Sequence, residues 1–187
     1  MFRGLLGGGY WDPHLGLRRP PWVPARIELS VGPAGYRPSG ASRINQIFAT
    51  NVTGQFLCCR EAVKRMSIRH GGRGGSIVNV STAASRTESA GEHVDYAASK
   101  GTIDTLTRGL SLEVAAEGIR VNCVRPGFIY TEVHAAAGEP NRVDRLSDSI
   151  PMKRGGTPEE VAHSILWLLS DEASYITGTF IDTAGGW

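Results

Sequence analysis

The chain has 187 residues, with 20 Lys and Arg against 18 Asp and Glu, a formal net charge of +2 and 41% hydrophobic residues. These are globular values, which argue against wholesale disorder and leave length for one domain with a core. A charge near zero argues against electrostatic nucleic-acid binding as the main activity, and no apolar run reaches the ~18 residues of a membrane span.

Three cysteines, Cys58, Cys59 and Cys123, make neither a disulfide framework nor a zinc spacing, so no metal site is expected. The start, Met1 to Gly9, is too short and too glycine-broken for a secretory signal. A soluble, reducing, cytoplasmic setting is the expectation.

Composition is not uniform along the chain. Residues 1–41 hold eight glycines, six prolines, five arginines, no lysine and two acids, Asp12 and Glu28. No period of 3.6 or 2 runs through them, so they read as a poorly ordered leader without strand patterning. Gly7-Gly8-Gly9 lacks both phosphate-loop spacings and no hydrophobic strand precedes it. Residues 42–187 carry all three lysines and read as the folded domain.

In chain order, Ile44, Phe48, Val52, Phe56, Cys59, Val63 and Met66 step by three or four, the buried face of one long helix. Glycines at 71, 72, 74 and 75 end it. Residues 76–81 form a β-branched strand and 82–91 a polar loop. A second helix spans about 92–117, with Ser99, Ile103, Leu106, Leu110 and Val114 on one face and Gly118 as its C′ residue.

The next strand, 119–124, is halted by Pro126-Gly127. A polar stretch covers 132–156. Thr157-Pro158-Glu159-Glu160 then reads as N-cap, N1 proline and capping-box glutamate, opening a helix that buries Val161, Ile165, Leu168 and Leu169. A last strand covers 178–182. Helix and strand alternate with long crossovers, which predicts parallel pairing in an α/β domain, with chemistry at the carboxyl ends of the strands.

Tyr96 and Lys100 lie one helical turn apart and share a face. A lysine ammonium beside a phenol favours the phenolate, and a phenol so tuned can exchange a proton with an alcohol or carbonyl. The expectation is a tyrosine lowered toward neutral pH. The pattern is weak alone and gains weight from Ser81-Thr82 and Pro126-Gly127 at the strand ends.

Five segments together resemble the short-chain dehydrogenases/reductases. They are N-V-x-G at Asn51–Gly54, I-V-N-V-S-T at Ile77–Thr82, Y-A-A-S-K at Tyr96–Lys100, N-x-V-x-P-G-x-I-x-T at Asn122–Thr131 and I-T-G-x-x-I-D-x-A-G-G at Ile176–Gly186. The segment is similar to bacterial glucose-dehydrogenase-like and 3-oxoacyl-reductase-like members.

The resemblance implies an α/β fold, the C-terminal part of a Rossmann-like doubly wound parallel sheet with helices on both faces. It implies hydride transfer between NAD or NADP and a carbonyl or alcohol, in a homo-oligomer. By resemblance Tyr96 is the acid/base, Lys100 tunes it and bonds the nicotinamide ribose, Asn51 interrupts its helix to hold a relay water, and Thr82 holds the substrate oxygen. Pro126, Gly127, Ile129 and Thr131, with Tyr96 and Lys100, match the cofactor-contacting positions.

Two departures stand out. Thr82 replaces the family's usual serine, which keeps the hydroxyl but adds a methyl, so reduced or narrowed activity is expected. Ser81 points to the opposite face by strand parity. The family's T-G-x-x-x-G-x-G turn, its adenosine-selecting position and its N-N-A-G strand have no counterpart, about 90 residues at ~30 per βαβ unit. The leader then reads as out-of-frame translation or an altered start joined near Ala41, with a purpose-evolved arm as the alternative. The competing functional reading is an inactive fragment or pseudoenzyme that retains an oligomerisation surface.

Other residues carry blander expectations. Cys58 and Cys59 read as core or subunit-interface packing. His93 reads as a pocket-rim residue, and Glu132 and His134 as solvated positions in a mobile substrate lid. Trp167 and Trp187 read as core and terminal packing.

Overall fold

The structure is a computed structural model that describes residues 10–12, 17–19, 40–87, 93–136 and 138–187. The expected disorder of the leader lies outside the described residues, as does the end of the polar loop at 88–92. Two three-residue strands in the leader, β1 (Tyr10–Asp12) and β2 (Leu17–Arg19), pair antiparallel, with Trp11 opposite Arg18. The sequence reading has no strand there, because three residues are too few to establish a period.

The domain begins with α1 (Ala41–Phe48), a π-helical turn (Ala49–Thr53) and α2 (Gly54–Met66). It continues through β3 (Gly75–Val80), α3 (Ala84–Thr87), α4 (Val94–Val114) and β4 (Ile119–Pro126). The expected polar stretch carries two short helices, α5 (Glu132–Ala136) and α6 (Arg142–Leu146). The chain ends with α7 (Pro158–Leu169) and β5 (Phe180–Thr183). No helix among the described residues is long and apolar enough to cross a membrane.

The three strands β3, β4 and β5 form a parallel sheet in that order, with Val78 opposite Asn122 and Val124 opposite Ile181. Strand periodicity of two assigns each helix a side. Ile77, Asn79, Cys123 and Arg125 touch α2 or α4. Ser76 and Arg120 point the other way and both donate to the Leu168 carbonyl at the end of α7. The alternation therefore produces helices on both faces, the doubly wound arrangement.

The apolar centre lies where α4 meets β4. Val114, Ile119 and Val121 are buried, with Val63, Met66, Ile77 and Leu110 packed against them. Gly118 adopts φ 77°, the left-handed C′ conformation that releases the chain from α4 into β4. Among the described residues β3 pairs only with β4, and Val80 at its end is 41% exposed.

Two parts of the expected core are corrected. The π turn inserts an extra residue into the first helix, which rotates the face downstream of it. Phe56 is therefore 47% exposed, while Gln55 and buried Cys59 face the sheet; Cys58 is exposed. In α7 only Leu168 is fully buried. Leu169 and Trp167 are 43% and 39% exposed, because one residue per turn meets the sheet and the apolar stripe is wider than that contact. Trp187 packs edge-on against Phe128 at 5.0 Å.

The expected N-terminus of α7 is present in full. The Thr157 hydroxyl accepts from the Glu160 N–H, and the Glu160 carboxylate accepts from the Thr157 N–H. Arg154 adds two bonds at 2.9 and 2.6 Å to the same carboxylate and, with the Thr157 amide, holds its pKa down to about 2. A depressed carboxylate stabilises the fold above its unfolded value of about 4.3, and this is lost as pH falls through about 2. Thermal melts of Thr157→Ala are expected to show a loss of about 1 kcal/mol. Glu160→Gln should lower the melting midpoint at neutral pH and leave it unchanged near pH 2; an equal deficit at both pH values would contradict the assignment.

Candidate active site

Three segments meet at the carboxyl end of the sheet: the residues after β3, the first turns of α4 and the residues after β4. Strand parity separates the two hydroxyls after β3. Ser81 is buried and donates to the Lys100 carbonyl at 3.1 Å, so it ties β3 to the back of α4. The Thr82 hydroxyl accepts from the Ala84 N–H at 3.3 Å and is the polar side chain that meets the Tyr96 phenol. Thr82 and Tyr96 thus come together.

Lys100 lies one turn along α4, its ammonium 6.0 Å from the centre of the Tyr96 ring. It donates to the Val80 carbonyl at 2.9 Å. Asn51 lies in the middle of the π turn and is buried. Its amide donates to the Ser99 hydroxyl at 3.0 Å, and Ser99 donates to the Tyr96 carbonyl at 2.7 Å. The π turn is thereby fixed to the turn of α4 that bears Tyr96. All four expected catalytic residues lie along this junction.

The electrostatics differ from expectation. Burial pushes the Tyr96 phenol above its ordinary value, and the Thr82 hydroxyl offsets only part of that. Burial also pushes the Lys100 ammonium down, opposed by the charges of Cys123 and Asp104. The expected lowering of Tyr96 by Lys100 is absent. The physical reason is the 6.0 Å separation and the commitment of the ammonium to the Val80 carbonyl, against which desolvation dominates.

The segment after β4 is shaped by packing. A Cβ on Gly127 would lie 2.9 Å from both Cα and Cβ of Ala184, so only glycine lets the chain pass there. Ile129 is buried and bridges to Gly156. Its carbonyl accepts from His134 Nε2 at 2.9 Å, and Thr131 lies exposed beyond it. Burial lowers the His134 pKa, opposed by that carbonyl bond. Tyr130, Thr131, Glu132, Val133 and His134, with Pro140, Val143 and Pro158, line an open concavity of about 750 Å³. Its walls belong to the expected lid rather than to Tyr96 or Thr82.

The donor set suits the nicotinamide half of a dinucleotide: one ammonium, a phenol and two threonine hydroxyls at strand carboxyl ends match a ribose diol and a carboxamide. Among the described residues no glycine-rich loop opens a helix to take a pyrophosphate.

Several polar residues of this junction were not identified as functional from sequence. Asn79 is buried, accepts from Gln55 Nε2 at 2.8 Å and donates to Thr107 at 2.8 Å. Its signal was an asparagine inside a β-branched strand. Asn122 is buried too, donating to the Ile176 carbonyl and accepting from the Thr179 N–H. Arg125 pairs with Asp104 at 2.9 Å across 21 positions, for which no local pattern exists.

Comparison with known proteins agrees with this architecture. A family profile described as "Enoyl-(Acyl carrier protein) reductase" matches residues 35–187. The chain is 73% identical over 146 residues to "Uncharacterized oxidoreductase YgfF" of Escherichia coli, covering 78% of this chain and 59% of that protein. It is 39% identical over 167 residues to a 3-oxoacyl-[acyl-carrier-protein] reductase of Chlamydia pneumoniae, covering 86% of this chain and 65% of that one. Acetoin dehydrogenase YohF of Salmonella typhimurium superposes with TM-score 0.69 at 32% identity, over 82% of this chain and 59% of its own. A putative 2-deoxy-D-gluconate 3-dehydrogenase of Agrobacterium tumefaciens, solved with bound NADP, superposes with TM-score 0.75 at 26% identity, over 84% of this chain and 63% of that one. The chain thus spans less than two thirds of the length of each of these relatives. With the α/β sheet, the Tyr96–Lys100 turn and the profile match, the chain belongs to the short-chain dehydrogenase/reductase family.

Proposed function

We propose that residues 42–187 carry the catalytic part of an NAD(P)-dependent oxidoreductase that interconverts a small-molecule carbonyl and alcohol. The observation that carries this reading is the meeting of the Thr82 hydroxyl and the Tyr96 phenol with Lys100 one turn away, at the carboxyl ends of a parallel sheet. When bound, the nicotinamide supplies or accepts the hydride.

The chain's own residues would orient the substrate and move the proton. The Thr82 hydroxyl holds the carbonyl oxygen beside Tyr96. The phenol, kept protonated by burial, donates its proton to that oxygen during reduction and recovers one from the alcohol during oxidation. Asn51 and Lys100 flank the phenol as relay and ribose-binding groups, and Pro126, Gly127, Ile129 and Thr131 face the nicotinamide. The exposed apolar residues Phe56, Leu57, Leu166 and Trp167 support a homo-oligomer.

Titration of the purified chain with NADH and NADPH, followed by cofactor fluorescence, tests the reading. Saturable micromolar binding is expected, weakened about tenfold or more in Lys100→Ala, since a charge-assisted hydrogen bond is lost. Failure to saturate at millimolar cofactor would favour the inactive-fragment reading instead.

The proton role has its own signature. Above its raised value Tyr96 loses the proton it donates, so carbonyl reduction should decline only at pH beyond the ordinary phenol value of about 10. In tyrosinate difference absorbance, Tyr96→Phe should remove a component titrating above about 10. Loss of a component near neutral pH would show instead a phenol tuned downward.

A further inference from the structure

Charged side chains form an alternating row directly behind the candidate site. Asp104 on α4 accepts from Arg125 Nε and Nη2 at 3.2 and 2.9 Å, both on one oxygen. Arg125 Nη1 lies 3.7 Å from Asp182 on β5, and Arg86 on α3 lies 3.2 Å from the same Asp182. The Arg125 guanidinium also stacks over the Phe180 ring at 4.1 Å. The Asp104 and Arg125 side chains are only 16% and 14% exposed, so solvent screens this pair far less than a surface pair.

The position of the pair is the informative part. Asp104 is one helical turn beyond Lys100 on the same face of α4. Arg125 immediately precedes Pro126-Gly127 at the end of β4. Arg86 follows Thr82 by four residues and also donates to the Trp187 carbonyl. The row therefore links the three segments that bear Lys100, Pro126 and Thr82. None of its members is needed to close the apolar centre, which lies at the other end of the sheet around Val114 and Ile119.

We propose that Asp104 and Arg125 are positioning residues of the site, clamping the Lys100-bearing turn of α4 onto the end of β4 with the Asp104 carboxylate in electrostatic reach of the Lys100 ammonium. This rests on the reading of Lys100 as a site residue. Among the described residues, the groups that face Lys100 come from three elements. From α4 they are Tyr96 and Asp104, from β4 Cys123 backed by Arg125, and from β3 the Val80 carbonyl. Burial pushes the Cys123 thiol up to about 11, so it remains neutral until well above neutral pH. Of the two groups whose charge opposes the desolvation of Lys100, Cys123 and then Asp104, the carboxylate is the one paired with Arg125.

This arrangement gives opposite signs for the two halves of the pair. Removing the carboxylate removes one of the charges that oppose burial at Lys100, and the lysine loses its proton more easily. Removing the guanidinium leaves the carboxylate uncompensated, and the lysine holds its proton more tightly. A pair that only holds the fold together would not separate in sign.

Competitive acetylation of the full chain across a pH series, read by peptide mass spectrometry, measures this without requiring turnover. The chain has three lysines, and Lys64 and Lys153 serve as internal standards. Asp104→Asn is expected to lower the Lys100 labelling midpoint by about one pH unit, and Arg125→Met to raise it. Asp104→Glu, which keeps the charge, should stay near the parent. Movement of both Lys100 midpoints in the same direction, including a joint drift to ordinary lysine behaviour through unfolding, would overturn the proposal, and so would no movement in either. Because labelling reads Lys100 alone, a negative cofactor titration would sink the proposed activity and leave this result standing.

Discussion

The site depends on how closely α4 can approach the sheet. The buried face of this helix is Ala97, Ser99, Ile103, Thr107, Ser111 and Val114, in which four of six residues are alanine or hydroxyl-bearing. Small side chains bring the helix near enough for hydroxyls to reach across. Thr107 accepts from Asn79 and donates to the Ile103 carbonyl, and Ser81 reaches the Lys100 carbonyl. Each such bond contributes about 1 kcal/mol net, but a buried partner left alone costs about 1–3 kcal/mol. The contacts therefore specify the register of the helix more strongly than they stabilise it. A slip by one residue would part Asn79 from Thr107, Ser81 from the Lys100 carbonyl and Asn51 from Ser99 at once.

That register sets the geometry of the proposed site. Tyr96 and Lys100 flank Ser99, which is tied to Asn51. The π turn around Asn51 is thus part of the same device: it rotates α2 so that Gln55 and Cys59 face Asn79, while presenting Asn51 to Ser99. One inserted residue both breaks the helix phase and supplies the polar bridge. At the opposite face, Arg120 holds the Leu168 and Ser170 carbonyls where α7 ends, placing a cation at the negative end of that helix. The two faces of β4 are each secured through an arginine, Arg125 with the Asp104 carboxylate on the α4 face and Arg120 with the Leu168 and Ser170 carbonyls on the α7 face.

Much of this was legible in the sequence, and the remainder was hidden for identifiable reasons. Alternation of 3.6 and 2 periods located the three strands of the parallel sheet and the long helices, since each has one face against the sheet, and missed the paired strands β1 and β2. Thr157, Pro158 and Glu160 announced α7 because a capping box is a local interaction within four residues. Tyr96 and Lys100 were legible for the same reason. The exposure of Phe56 was not, because the π turn alters the helix phase at Gln55 and Phe56, whereas Cys59, Val63 and Met66 keep their inward face. Leu169 and Trp167 were misjudged because hydrophobicity alone does not tell how wide a contact is. The Asp104–Arg125 pair is long-range, and only the parallel register of β4 and its packing on α4 bring it together.

The electrostatic character of the site follows from these same contacts. Close packing excludes water from this part of α4 and the β4 residue facing it, and desolvation then acts on Tyr96, Lys100 and Cys123 in the direction of the neutral form. It raises Tyr96, lowers Lys100 and carries the Cys123 thiol up to about 11. Proximity of a lysine to a tyrosine in sequence is therefore not sufficient to produce a phenolate, because the ammonium must also be free of other acceptors and near the oxygen. Here the Val80 carbonyl takes it. What the packing produces is a protonated phenol beside a hydroxyl, and that is the state a proton donor to a carbonyl oxygen requires. The helix approach that fixes the geometry of the site thus also selects the protonation state in which it can act.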